Sequence, residues 1–198
     1  LDTIPGTGAA ISFGLQTTTG TYTVYAFNST TFCQVSMNGS LVMEQQPIAY
    51  TMTPAGIACV GSVIGIDNSE VGVSYQLRLD GTTNIGAPIA GTGAAISFGT
   101  QTLVGTYTMI ATAANGCTNT MNGTINIEPL PVLYSITPLG TNCVNTIIGL
   151  NGSEINVHYI LLLDGITALD TLTGTGSAIS FGPQPMSGTY TILAVNSI

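Results

Sequence analysis

The chain has 198 residues, with one Lys or Arg (Arg78) against nine Asp or Glu, so its formal net charge is −8 and only 5% of its residues are charged. A surface with a single cation cannot neutralise a phosphate backbone or an anionic membrane, which excludes nucleic-acid binding and adsorption to acidic lipid. Hydrophobic residues reach 44%, enough to bury a core, while no apolar run approaches the ~18–20 residues that cross a bilayer.

In chain order, the first organised feature is "GTGAAISFG" at 6–14, which returns at 91–99 and again as "GTGSAISFG" at 174–182. "GTYT" follows at 20, 105 and 188, so both phrases repeat in steps of 85 and 83 residues. Cys33 to Cys117 and Cys59 to Cys143 are each 84 apart, "YTMTP" at 50–54 becomes "YSITP" at 134–138, and "LRLDG" at 77–81 becomes "LLLDG" at 161–165. A unit of about 84 residues exceeds the ~20–50 of solenoid repeats and can hold its own core. The phase divides the chain into the C-terminal part of a repeat (1–47), a complete repeat (48–130) and the N-terminal and central part of another (131–198). The expectation is a window from a longer repetitive protein.

Within one unit the strands read as follows. "SVIGI" (62–66) is short and β-branched. "VSYQLRL" (73–79) alternates, with Val73, Tyr75, Leu77 and Leu79 on one face, and "DG" after it signals a hairpin turn. "AAISFG" places Ile96 and Phe98 on one inward face after the Gly-Thr-Gly bend. "GTYTMIA" (105–111) and, after an Asn115–Gly116 turn, "TNTMNGTINI" (118–127) alternate again. No 3.6-residue period appears, and no helix pattern follows the Gly-Thr-Gly, so it lacks the geometry of a phosphate loop. About seven short strands per unit, with turns every ~8–12 residues, specify an all-β fold of tandem immunoglobulin-like β-sandwiches. The pattern G-x-Y-x-apolar-x-A matches the start of strand F in such domains. It nominates Tyr22, Tyr107 and Tyr190 as tyrosine corners, with Met109 where an antibody domain has its cysteine.

The blocks "GTYTMIATAANGCTNTMNGTINI" and "ITPLGTNCVNTIIGLNGSEINVHYILLLDG" followed by "GTGSAISFG" resemble the tandem Ig-like domains of large cell-surface adhesins of the Bacteroidota. Those include the gliding-motility adhesins exported by type IX secretion. The resemblance runs over essentially the whole chain. It implies an extracellular stalk or filament segment at the cell surface, without catalysis or cofactor, whose partners are neighbouring repeats and an unknown surface or glycan ligand. The alternatives are a carbohydrate- or calcium-binding module, and accessory domains of a secreted hydrolase. The resemblance also favours a disulfide between Cys59, ahead of strand B, and Cys117, at the start of strand G, with Cys33 and Cys143 pairing outside the window. The rival pairing, Cys33–Cys59 with Cys117–Cys143, would staple neighbouring domains. Simple sandwich topology counts against the first and more heavily against the second, because bridged Cα atoms lie within ~7 Å.

Few residues are candidates for chemistry. His158, the only histidine, sits at an outward strand position with no nucleophile pattern around it. Glu70 and Glu154 recur in a loop and are weak calcium candidates, since no D-x-D cluster accompanies them. Asp80 and Asp164 belong to the DG turns. "DTI" at 2–4 and "DTL" at 170–172 resemble the Asp-Thr-apolar acceptor for O-linked sugar in Bacteroidota, which points to Thr3 and Thr171. The Asn-x-Ser/Thr matches at Asn28, Asn38, Asn122 and Asn151 carry little weight, because turns are rich in Asn-Gly. Ile160 and Leu162 replace Gln76 and Arg78 on the outer face of one strand, an apolar stripe suited to lateral self-association.

Overall fold

The computed structural model describes residues 2–197, which form strands, turns and loops with no helix among them. The chain divides into two compact units, Leu1–Ile127 and Glu128–Ile198.

The first unit opens with a bent hairpin. β1 (Gly20–Tyr22) pairs antiparallel with β4 (Leu41–Met43), and β2 (Tyr25–Phe27) with β3 (Gln34–Ser36). Residues 6–14 form no strand. In the later copies the same phrase becomes a strand by pairing with the "VIGI" or "IIGL" segment, and the stretch 2–47 contains no such partner.

The complete repeat follows as β5 (Met52–Thr53), β6 (Gly56–Cys59), β7 (Val63–Ile66), β8 (Val73–Leu79), β9 (Thr83–Ala90), β10 (Ile96–Thr100), β11 (Gly105–Ala113), β12 (Thr118–Thr120) and β13 (Ile125–Glu128). One sheet has the order β10-β7-β5; the other runs β6-β13-β11-β8-β9, with β12 alongside β11. Taking β5 with β6 and β12 with β13 as interrupted single strands, this is a seven-stranded two-sheet sandwich. Period-2 alternation does the folding. Val73, Tyr75 and Leu77 of β8 and Tyr107, Met109 and Ala111 of β11 turn inward to meet Met52, Ile64 and Ile66 from the other sheet. Tyr75, Leu77, Tyr107, Ile125 and Ile127 are completely buried. Burying one such side chain stabilises the repeat by ~1.5–3 kcal/mol.

Two features differ from the sequence reading. The segment after the Asp80–Gly81 turn is an eight-residue strand, β9, despite its Gly-Ala-Pro run. Pro88 fits there because β9 is the edge of its sheet. Residues 118–127 are not one strand but two. At the break Asn122 leaves β11 and bridges in parallel to Thr51, while its side-chain amide donates to the Ala49 carbonyl at 2.8 Å.

The second unit repeats the plan with β14 (Ile136–Thr137), β15 (Thr146–Leu150), β16 (Val157–Leu163), β17 (Thr167–Thr173), β18 (Ile179–Gln184) and β19 (Tyr190–Asn196). Its sheets are β14-β15-β18 and β17-β16-β19, closing on Ile148, Leu150, Val157, Tyr159, Leu161 and Phe181.

Candidate functional site

The repeated phrases converge on one structural lock, built twice. The first glycine of Gly-Thr-Gly, Gly91, lies against the loop between β7 and β8. A Cβ placed there would stand 2.0 Å from the Glu70 carbonyl oxygen and 2.9 Å from the Tyr75 ring. At Gly174 the same atom would stand 1.8 Å from the Glu154 carbonyl oxygen and 3.0 Å from the Tyr159 ring. No side chain fits, so glycine is required by close approach. The buried Ser69 ties the two loops: its hydroxyl donates to the Ala94 carbonyl at 2.5 Å and accepts from the Thr92 amide at 2.9 Å. Ser153 does the same with Ser177 and Thr175 at 2.6 and 2.9 Å.

The same lock absorbs the acidic candidates. The Tyr75 hydroxyl accepts the Glu70 amide at 2.8 Å, and the Tyr159 hydroxyl accepts the Glu154 amide at 2.9 Å. The Glu70 carboxylate in turn accepts the Ile48 amide at 2.7 Å, and Glu154 accepts the Val132 amide at 2.6 Å. Both glutamates thus anchor the lead-in segment of their repeat. Among the described residues no three His, Cys, Asp or Glu side chains converge on a common point. Asp80 and Asp164 have backbone roles too. Each adopts a positive φ in a three-residue turn, and each carboxylate accepts the amide at the start of the following "TYT", from Thr106 at 3.0 Å and Thr189 at 2.8 Å.

Tyr22, Tyr107 and Tyr190 each donate the phenol hydroxyl to the carbonyl four residues upstream, Thr18, Leu103 and Met186, at 2.8, 2.9 and 2.8 Å. Burial pushes the Tyr107 phenol above its ordinary 10.0, and the Asp80 carboxylate adds to the rise. Burial likewise raises Tyr75, with the nearby Glu70 carboxylate contributing.

The cysteines require a correction. Among the described residues no two of the four are bonded to each other. Cys59 ends β6; its carbonyl accepts the Ser62 amide, and the adjoining Gly61 amide donates to the Gln101 carbonyl, which places Cys59 beside the turn that precedes β11. The carbonyl of Cys117 accepts the Ala113 amide, at the far end of β11. The nine-residue β11 lies between them, a separation of about 30 Å at ~3.3 Å per residue. The Cys59–Cys117 bridge, which needs Cα atoms within ~7 Å, is not formed. Neither is Cys33–Cys59 nor Cys117–Cys143.

Thr3 and Thr171 are both exposed, and in both cases the preceding aspartate turns back to accept the threonine amide, at 2.9 and 2.8 Å. Thr171 lies on β17, an edge strand. His158 Nδ1 stands 3.2 Å from the Thr173 hydroxyl and touches no nucleophile arrangement. Ile160 and Leu162 are half-buried on the face of β16 opposite the core, in register with Leu193 and Thr191 of β19.

Ser69, Ser153 and Tyr159 escaped the sequence reading, as did the role of the Tyr75 hydroxyl, Tyr75 having been read only as an inward strand residue. Their signal was available: "NSEVGVSY" and "GSEINVHY" keep Ser, Glu and Tyr in phase. So was that of Gln16, Gln101 and Gln184, which follow every "SFG" and donate back to the Phe carbonyl at 2.7, 2.9 and 3.0 Å.

No family model and no curated protein sequence matches this chain. Among solved structures, the chain is similar to a biofilm-associated protein BSP domain (16% identity, TM-score 0.31, covering 73% of this chain and 26% of that one). It is also similar to the Bacteroides ovatus mixed-linkage glucan utilization locus protein SGBP-B, in complex with a mixed-linkage heptasaccharide (13% identity, TM-score 0.31, covering 94% and 52%). Titin domains A168–A170 give 12% identity, a TM-score of 0.33, and coverage of 90% and 69%. The chain thus spans about a quarter and about half of the first two structures. Superpositions this loose carry no argument on function.

Proposed function

We propose that the chain is a load-bearing stalk segment of an extracellular, repetitive cell-surface adhesin, like the Bacteroidota adhesins its sequence resembles, and that it performs no catalysis. The observation that supports this reading is the use made of its polar groups. Glu70, Glu154, Asp80, Asp164, Ser69 and Ser153 all spend their side chains on backbone amides or carbonyls of their own repeat. Repeating one internally fastened sandwich gives reach and resistance to pulling, and it needs no ligand. Thr3 and Thr171 are proposed to carry O-linked sugar, which would hydrate a surface with very few charges.

Pulling single molecules by their ends tests the stalk reading. Each complete repeat of about 84 residues should release a contour increment of about 30 nm at ~3.5 Å per residue. Featureless extension at low force would overturn it. An intact mass equal to that of the bare polypeptide, measured on protein secreted by its native host, would overturn the glycan assignment.

A further inference from the structure

The hairpin of β1–β4 departs from its sister in the complete repeat in ways the fold does not require. Tyr25 and Phe27 occupy the positions of Ile110 and Thr112. In β11 those two positions alternate with the buried Tyr107, Met109 and Ala111, so they face away from the core. The register carries over. Tyr25 opposes Ser36 as Ile110 opposes Thr120, and Phe27 opposes Gln34 as Thr112 opposes Thr118. Residues directly opposite one another share a face of the hairpin. That face therefore presents two aromatic rings, with centroids 6.4 Å apart and planes inclined by 38°, flanked by Gln34 and Ser36. The loop at the tip is one residue longer than in the sister. There Phe32, 80% exposed, holds a φ of 57°, where the second repeat places Gly116 at 87°. A bulky residue in the left-handed region is a cost that the turn itself does not demand.

We propose that this outer face is a binding platform for neutral polysaccharide. Aromatic faces carry negative potential and attract the C–H faces of pyranose rings. The hydroxyls around the edge of such a sugar would meet the Gln34 amide and the Ser36 hydroxyl. Between Asp2 and Glu44 the sequence has no charged residue, so neither an acidic nor a basic ligand finds an ionic partner on the hairpin. A purely apolar protein surface would desolvate Gln34 and Ser36 without replacing their hydrogen bonds; a glycan replaces them. The platform is independent of the stalk reading, since a stalk can carry it or lack it.

Affinity electrophoresis of the full chain tests this, in gels containing soluble mixed-linkage β-glucan, galactomannan or dextran, with alginate as the acidic control. The expected result is retardation by at least one neutral polysaccharide and none by alginate. The double variant Tyr25→Ile/Phe27→Thr installs the sister repeat's residues and so preserves the hairpin register. It should weaken retardation by about tenfold, with a smaller loss for Gln34→Ala. The proposal is overturned if no neutral polysaccharide retards the chain, if the double variant is retarded equally, or if alginate alone acts. It is also overturned if light scattering shows a dimer that the double variant abolishes, which would make a second copy the occupant.

Discussion

Gly91 and Tyr107 show how single residues fix this fold. A methyl group at Gly91 collides with main chain, the Glu70 carbonyl, which cannot swing aside as a flexible side chain would. Gly91→Ala is therefore expected to destabilise the complete repeat by about 3 kcal/mol, read as a lowered urea midpoint. Gly6 opens the same phrase in the first segment but has no atom within 4 Å of the added carbon, so Gly6→Ala should leave the midpoint unchanged within ~0.5 kcal/mol. An equal loss at both sites would mean that the lock does not set the requirement for glycine. Tyr107 makes a different prediction. Its hydroxyl bond to the Leu103 carbonyl is worth about 1 kcal/mol, which Tyr107→Phe should forfeit at neutral pH. The phenol's folded value lies above its ordinary 10.0, so the native state holds that proton more tightly than the unfolded chain does. This contribution is fully present below pH 10.0 and is lost as pH rises through the higher folded value. Between 10.0 and that folded value the parent should lose stability more steeply than Tyr107→Phe. Parallel alkaline curves for the two proteins would contradict the argument.

At the scale of elements, the lock shows why some strands were legible in the sequence and others were not. β8 and β11 declare themselves by alternation, since each has one face in the core and one outside it. The phenol corners were equally readable, because the acceptor lies four residues back and the geometry is local. β9 was not, because an edge strand with Gly86 and Pro88 lacks strand propensity and forms only by pairing with β8. The break between β12 and β13 depends on a parallel contact with Thr51, some seventy residues away, and no local pattern encodes it. The Cys59–Cys117 pairing came from the resemblance, and it is not formed because the two thiols lie at opposite ends of β11, the placement for which simple sandwich topology counted against it. Glu70 was read as a loop carboxylate because its partner, the Ile48 amide, is 22 residues upstream. That bond gives a prediction for the lead-in segment. Glu70→Ala should cost about 1 kcal/mol and speed hydrogen exchange at the Ile48 amide, while core amides of β8 keep their protection. Glu70→Gln retains an acceptor oxygen and should lie between the two. Unchanged exchange at Ile48 in Glu70→Ala would show that the anchor is not the carboxylate.

For the whole molecule, the controlling fact is nine carboxylates against one guanidinium. Arg78 directs its Nε to the Asn84 side chain at 3.2 Å rather than serving as the hub of an ion-pair network. Stability must therefore come from apolar burial and the backbone-directed bonds of the lock, both indifferent to screening, whereas the net electrostatic term is self-repulsion. Salt acts on that term alone at moderate concentration. At 0.01 M ionic strength the Debye length is ~30 Å, long enough for carboxylates on one repeat to repel each other; near 0.1 M it falls to ~10 Å. Raising NaCl over this range should raise the melting temperature by about 1–3 °C, equivalent to a few tenths of a kcal/mol for a domain of this size. A protein held by surface ion pairs would respond in the opposite direction. A melting temperature that falls with added NaCl, measured at pH 7 by circular dichroism at 218 nm, would show that ionic contacts carry weight the fold does not assign them.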